Sequence, residues 1–130
     1  MSWFSRGIKE KEKNTNGVQW IELKSIEQAK SYIDTSEIPL VFFKHSTQCS
    51  ISAMAINRLE RDWKIDPSKV IPVYLDLISY RSVSNFLPEY LNVTHQSPQV
   101  LIVFNKKCIF SSSHNSITAS SIDSVINTLE

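Results

Sequence analysis

Residues 39–52 read Pro39-Leu40-Val41-Phe42-Phe43-Lys44-His45-Ser46-Thr47-Gln48-Cys49-Ser50-Ile51-Ser52. The apolar run is too short for a helix of ordinary length, and it shows no alternation of polar and apolar positions. A strand of that kind is buried on both faces, which requires a sheet covered by helices on each side. The polar turn Ser46-Thr47-Gln48 then delivers one thiol to the start of an amphipathic segment. A helix N-terminus carries unpaired N–H groups and about half a positive charge, and a thiolate placed there is stabilised.

The rest of the chain supplies the layers. Trp20 and Leu23 mark a first strand over Val18 to Leu23. A helix begins at Ser25, where Ser25 and Gln28 fit the S-x-x-Q capping box, with Ile26, Ala29, Tyr32 and Ile33 as its apolar stripe. After Cys49 come Ile51, Ala55, Leu59 and Trp63, four residues apart and flanked by Met54, opposite a wet face of Arg58, Glu60, Arg61 and Asp62. Val70 to Leu77 is a third strand. Val83, Phe86, Leu87, Tyr90 and Leu91 form a helical stripe in which Pro88 is expected to cause a break or a kink. Gln99 to Phe104 and Cys108 to Ser112, joined by Asn105-Lys106-Lys107, read as a β-hairpin. A last helix carries Ile122, Val125, Ile126 and Leu129 on one face, with Ser120 to Asp123 as its capping box.

This order, βαβαβα then ββα, describes an α/β protein with a central mixed β-sheet sandwiched by helices. The early units demand right-handed crossovers and a parallel pair, while the late hairpin adds an antiparallel edge. Such an order resembles the thioredoxin-like fold. In open sheets of this type the site lies beyond the carboxyl ends of the central strands, where both Cys49 and Pro98 fall.

Composition narrows the function classes. A chain of 130 residues is one domain, read here as a mobile polar tail over residues 1–17 and a folded domain over 18–130. Its formal net charge of +1 gives no reason to expect nucleic acid or an anionic membrane as partner. The longest apolar runs are too short to span a bilayer, and no signal peptide is visible. Two cysteines are too few for a disulfide scaffold, so a cytoplasmic location, where thiols stay reduced, is expected. Two cysteines and three histidines, widely scattered, argue against a metal site, and two glycines cannot build a phosphate loop.

Cys49 and Ser52 form Cys-x-x-Ser. A hydroxyl stands where a dithiol site would carry its resolving cysteine, so the mixed disulfide formed on Cys49 needs an external thiol for release. Ser52 either bonds to the Cys49 sulfur or satisfies the first helical turn. An inert buried thiol is the alternative for Cys49, but Ser46, Thr47, Gln48, Ser50 and Ser52 suit an exposed corner. His45 is close enough to assist the thiol, or else it finishes the strand. Lys44 adds positive potential or is a solvated strand end. A cis bond at Ser97–Pro98 would hold that loop against the thiol and free backbone groups for an extended substrate, an expectation that rests on the fold assignment. His95, three residues before Pro98, would lie near the same groove or is an ordinary loop histidine, and Gln99 is a candidate from its position alone. Cys108 reads as a packed, idle thiol on an edge strand.

Phe43-Lys44-His45-Ser46-Thr47-Gln48-Cys49-Ser50-Ile51-Ser52, with His95-Gln96-Ser97-Pro98-Gln99-Val100, resembles the YtxJ family of monothiol bacilliredoxins, bacterial thioredoxin-fold proteins of the bacillithiol redox system. The resemblance runs from Val18 to Leu129. It implies a thiol-disulfide oxidoreductase that removes bacillithiol from protein mixed disulfides. Bacillithiol would be its co-substrate, S-bacillithiolated proteins its partners, and no cofactor would be bound. Cys49 matches the attacking cysteine, and Pro98 the cis-proline. Their positions around these two residues, rather than the resemblance, suggest supporting roles for Ser52, His45, Thr47 and Ser50 and substrate-binding roles for Ser97, Pro98, His95 and Gln99. One departure is Ser50, which replaces a proline of the family pattern and adds an N–H near the sulfur. A monomer is expected. Two other functions use the same features: an iron–sulfur cluster carrier built on one Cys-x-x-Ser thiol, and a non-catalytic binding module.

Overall fold

A computed structural model describes residues 17–130. Except for Gly17, the polar tail expected over residues 1–17 lies outside the described residues. The elements in chain order are β1 (Ile21–Glu22), α1 (Ile26–Thr35), β2 (Leu40–His45), α2 (Ser50–Asp62), β3 (Ile71–Asp76), α3 (Arg81–Leu91), β4 (Gln99–Phe104), β5 (Lys107–Ser113), a 3-10 turn (His114–Ser116) and α4 (Ala119–Asn127). The strands form one sheet in the order β1-β3-β2-β4-β5. β1 and β2 both run parallel to β3, while β2–β4 and β4–β5 are antiparallel. The mixed sheet with an antiparallel edge is therefore present.

β2 lies at the centre and all six of its residues are buried. Alternation sends Leu40 and Phe42 into a core shared with Ala29 and Ile33 of α1 and with Val83, Leu87 and Leu91 of α3. Val41 and Phe43 face the opposite core, made with Ala55 and Leu59 of α2 and with Ile122 and Ile126 of α4. By the same alternation Lys44 emerges on the α1/α3 side and His45 on the α2/α4 side. Two successive residues at the end of one strand thus serve two different layers.

Local chemistry explains most of the boundaries. Ser25 Oγ accepts the Gln28 N–H at 3.0 Å, and Gln28 Oε1 accepts the Lys24 N–H at 2.8 Å, so the cap expected at Ser25 is formed. The β4–β5 turn is Asn105-Lys106, both with positive φ (53° and 69°), as a tight two-residue hairpin requires. Lys107, expected in the turn, instead pairs with Phe104. A bulge then leaves Ile109 unpaired between the Ile102–Phe110 and Val103–Cys108 pairs.

Several other expectations change. The first strand shrinks to Ile21–Glu22, because only these residues pair with Val73 and Tyr74, although Val18 and Leu23 are both buried. Pro88 does not break α3, which continues to Leu91. Val83, Leu87 and Leu91 are all held in the core, and the helix closes soon afterwards at left-handed Asn92, with the Val93 N–H on the Pro88 carbonyl. The cap of α4 is Thr118, whose Oγ1 accepts the Ser121 N–H at 3.1 Å, rather than a box starting at Ser120. Finally, Ile51 and Met54 are not in the packed stripe of α2. They are 50% and 65% exposed, whereas Ala55, Leu59 and Trp63 are buried. On the face expected to be wet, Arg58 instead donates to the carbonyls of Ile117 and His114 at the 3-10 turn.

Candidate functional site

Cys49 is the N-cap of α2. Its backbone is extended (φ −117°, ψ 122°), its carbonyl accepts the Ala53 N–H, and its own N–H closes the preceding turn on the Ser46 carbonyl at 3.2 Å. The residue is partly exposed and forms no disulfide. The sulfur takes no capping bond from the first turn of the helix. Thr47 and Gln48 are exposed in the turn, and Ser50 is exposed as the first helical residue.

Ser52 is completely buried. Its Oγ accepts the Ser46 N–H at 3.0 Å and lies 2.7 Å from His45 Nδ1. Neither expected role is the observed one. The hydroxyl neither touches the Cys49 sulfur nor caps α2; it ties the first turn of α2 to the end of β2. The Oγ thus accepts the Ser46 N–H while sharing a second hydrogen bond with His45 Nδ1, whose direction follows the imidazole tautomer. His45 also lies beside the rings of Phe43 (5.9 Å between centroids) and Tyr74 (5.6 Å). Burial pushes the His45 pKa below its ordinary value, and nearby Asp76 opposes that in part.

Tyr74 and Asp76 were not legible as neighbours of His45, although the parallel register pairs Asp76 with His45 directly. The Asp76 carboxylate accepts the N–H groups of Ile78 and Ser79 and the Ser79 hydroxyl, closing the turn after β3. Burial, with Asp76, pushes the Tyr74 hydroxyl up to about 12. Tyr74 and Asp76 also line a cavity of about 220 Å³ with Glu22, Leu23, Ser79 and Tyr80. Its lining includes neither Cys49 nor Pro98.

On the other face, Lys44 is fully buried rather than a solvated strand end. Its Nζ lies 2.7 Å from His95 Nδ1 and 3.3 Å from Gln99 Oε1. Burial lowers its pKa to about 8. Gln99 Oε1 also accepts the Gln96 N–H, and Gln99 Nε2 donates to the Thr94 carbonyl at 2.9 Å. Gln99 is therefore buried beneath the 94–98 loop and laces it together, instead of lining an open groove. His95 and Gln96 are exposed, Ser97 is partly exposed, Pro98 is buried, and the Ser97–Pro98 peptide is cis. Because Lys44 pairs with Gln99, the 46–48 turn and the 92–98 loop leave the same end of the β2–β4 pair.

Cys108 belongs to the opposite end. It pairs with Val103, which pairs with Leu40 at the start of β2. The five steps from Leu40 to His45 put roughly 16 Å of strand between the two thiols' positions. Burial raises the Cys108 pKa, and its S–H donates to the Phe110 carbonyl at 3.4 Å. A packed edge-strand thiol is what the structure contains.

Comparisons with known proteins bear on the family and the fold. The sequence model of the family described as Monothiol bacilliredoxin BrxC matches residues 21–122. A solved structure with a thioredoxin fold is 28% identical, with a TM-score of 0.69 over 80% of this chain and 90% of its own. Two thioredoxins share the fold at lower identity. The one from Trypanosoma brucei brucei is 12% identical (TM-score 0.68), and the one from Malassezia sympodialis is 14% identical (TM-score 0.66). Each covers 85% of this chain and 90% of its own.

Proposed function

This chain belongs to the monothiol bacilliredoxin family, and from that premise we propose that Cys49 removes bacillithiol from protein mixed disulfides by thiol–disulfide exchange. One observation carries the reading. The partly exposed thiol at the start of α2 has no second thiol within reach, since position 52 is a buried hydroxyl turned into the strand end and Cys108 lies at the far end of the sheet.

In the first step the Cys49 thiolate attacks the bacillithiol sulfur of the mixed disulfide. The new bond joins Cys49 to bacillithiol, the old S–S bond breaks, and the protein cysteine leaves as a thiolate that takes up a proton. In the second step a free bacillithiol thiolate attacks the adduct. Bacillithiol disulfide forms and Cys49 leaves reduced, so each step exchanges one S–S bond for another with no net electron demand on the protein. The chemistry suits a monomer in a compartment that keeps thiols reduced. No described helix is long and apolar enough to cross a membrane.

The test is intact mass after the reduced protein is mixed with a bacillithiolated protein. One bacillithiol should move onto the wild type and onto Cys108→Ser, and none onto Cys49→Ser. Absence of transfer to the wild type would overturn the reading.

A further inference from the structure

We propose that His95, oriented by the buried Lys44 ammonium, is the donor that recognises a carboxylate on the small thiol of the mixed disulfide. The inference deepens the function proposed above and rests on it.

An ammonium only donates, so at the 2.7 Å contact Lys44 Nζ gives a proton to His95 Nδ1. A neutral imidazole that accepts at Nδ1 must carry its proton on Nε2. The imidazole does stay neutral near physiological pH, because partial burial and the positive charges of Lys44 and Arg81 all push its pKa down. The tautomer of an exposed histidine is thus set from inside the protein, by a lysine with no exposure of its own.

Lys44 is itself held in place. Gln99 Oε1 accepts from it at 3.3 Å, and the same amide bonds to Gln96 and Thr94 on either side of His95. The loop therefore offers an Nε2–H with little freedom of direction. Both charges acting on His95 are positive, so a group that meets this N–H gains most if it is an anionic acceptor. The loop leaves the sheet at the end from which the Cys49 turn also leaves, with Lys44 only five residues before the thiol. A ligand bonded through sulfur to Cys49 and bearing a carboxylate would be able to engage both. Lys44 acts through His95 and is a positioning residue; His95 touches the ligand.

The experiment compares two mixed disulfides of one carrier protein, one with bacillithiol, whose malate carries carboxylates, and one with cysteamine, which has none. Wild type should favour the bacillithiol form. His95→Ala, a change on an exposed loop, should raise KM for that form about tenfold and leave kcat and the cysteamine reaction within about twofold, the size expected for one charge-assisted hydrogen bond. His95→Asn, which keeps an N–H donor, should recover part of the loss, and Lys44→Met should resemble His95→Ala. Equal losses on both substrates, or a wild type without preference, would overturn the assignment and leave the exchange function standing. A wild type inert toward both substrates would sink that function and this inference together.

Discussion

The Ser52 hydroxyl lies 2.7 Å from His45 Nδ1 and takes the Ser46 N–H at 3.0 Å, so the group three residues past Cys49 faces the strand end and not the sulfur. Ser52→Ala would leave a backbone N–H and an imidazole nitrogen without this partner in a buried place. It should lower stability by about 1–3 kcal/mol. The rate of transfer per folded molecule should stay within about twofold, because no bond to the sulfur is lost. Urea unfolding and a transfer assay on the same preparations separate the two effects. A rate loss of tenfold with unchanged stability would mean that the hydroxyl acts on the thiol after all.

His45 gives a pH dependence whose sign is fixed by burial. Its folded pKa lies below the ordinary 6.5, so on acidification the unfolded chain takes up the proton first. Stability from this residue is therefore complete above about pH 6.5 and drains away below it, by at most about 1.4 kcal/mol per pH unit. His45→Asn keeps a hydrogen-bonding group beside the Ser52 hydroxyl and removes the titration. Its unfolding midpoint should fall less than the wild type's from about pH 6.5 to 5. Parallel pH profiles would show that another group governs the acid limb.

These two residues also show how far the sequence could be read. The apolar run from Leu40 to Phe43 announced a strand buried on both faces, and the polar turn after it placed Cys49 at a helix start; both follow from local pattern. The hairpin and the Ser25 cap were legible for the same reason. The partners of Ser52 and Lys44 were not, because they depend on how a helix turn and a distant loop settle against one strand end. Alternation from Leu40 through Phe42 does assign Lys44 to a core face, yet it says nothing of the histidine 51 residues away that meets it. Pro88 misled because tertiary packing of Val83, Leu87 and Leu91 outweighs one missing hydrogen bond. The α4 cap misled because Thr118, Ser120 and Ser121 are all competent caps, and burial of Ile122 and Ile126 decides among them.

Lys44 supplies the alkaline counterpart. Burial lowers its pKa from 10.5 to about 8, so the folded state loses its proton before the unfolded chain does. Between those values the unfolded state binds more protons, and stability contributed by Lys44 rises with pH. A shift of this size corresponds to about 3 kcal/mol. Lys44→Met should be at least as stable as wild type at pH 7, and its advantage should shrink by up to that amount as pH rises through the window. Urea midpoints for both proteins across the window check this. A gap that stays constant would mean that water or a counter-charge already relieves the buried ammonium.

Cys108 tests the single-thiol mechanism from the opposite direction. A disulfide needs Cα atoms within about 7 Å, whereas roughly 16 Å of strand separates the start of β2, beside Cys108, from the end that leads to Cys49. Burial raises the Cys108 pKa, and packing against the α1/α3 core limits its access. Mild oxidation of the folded protein should therefore give no intramolecular bridge, seen as no loss of two hydrogens in the intact mass. Brief alkylation near pH 7 should label Cys49 at least about tenfold faster than Cys108, with the difference vanishing in denaturant. Cys108→Ser should then leave the transfer rate within about twofold of wild type, since nothing on its strand approaches the exchange. A two-hydrogen loss in the folded wild type that disappears in Cys108→Ser would require the two ends of the sheet to meet, and would replace the external resolving thiol with an internal one.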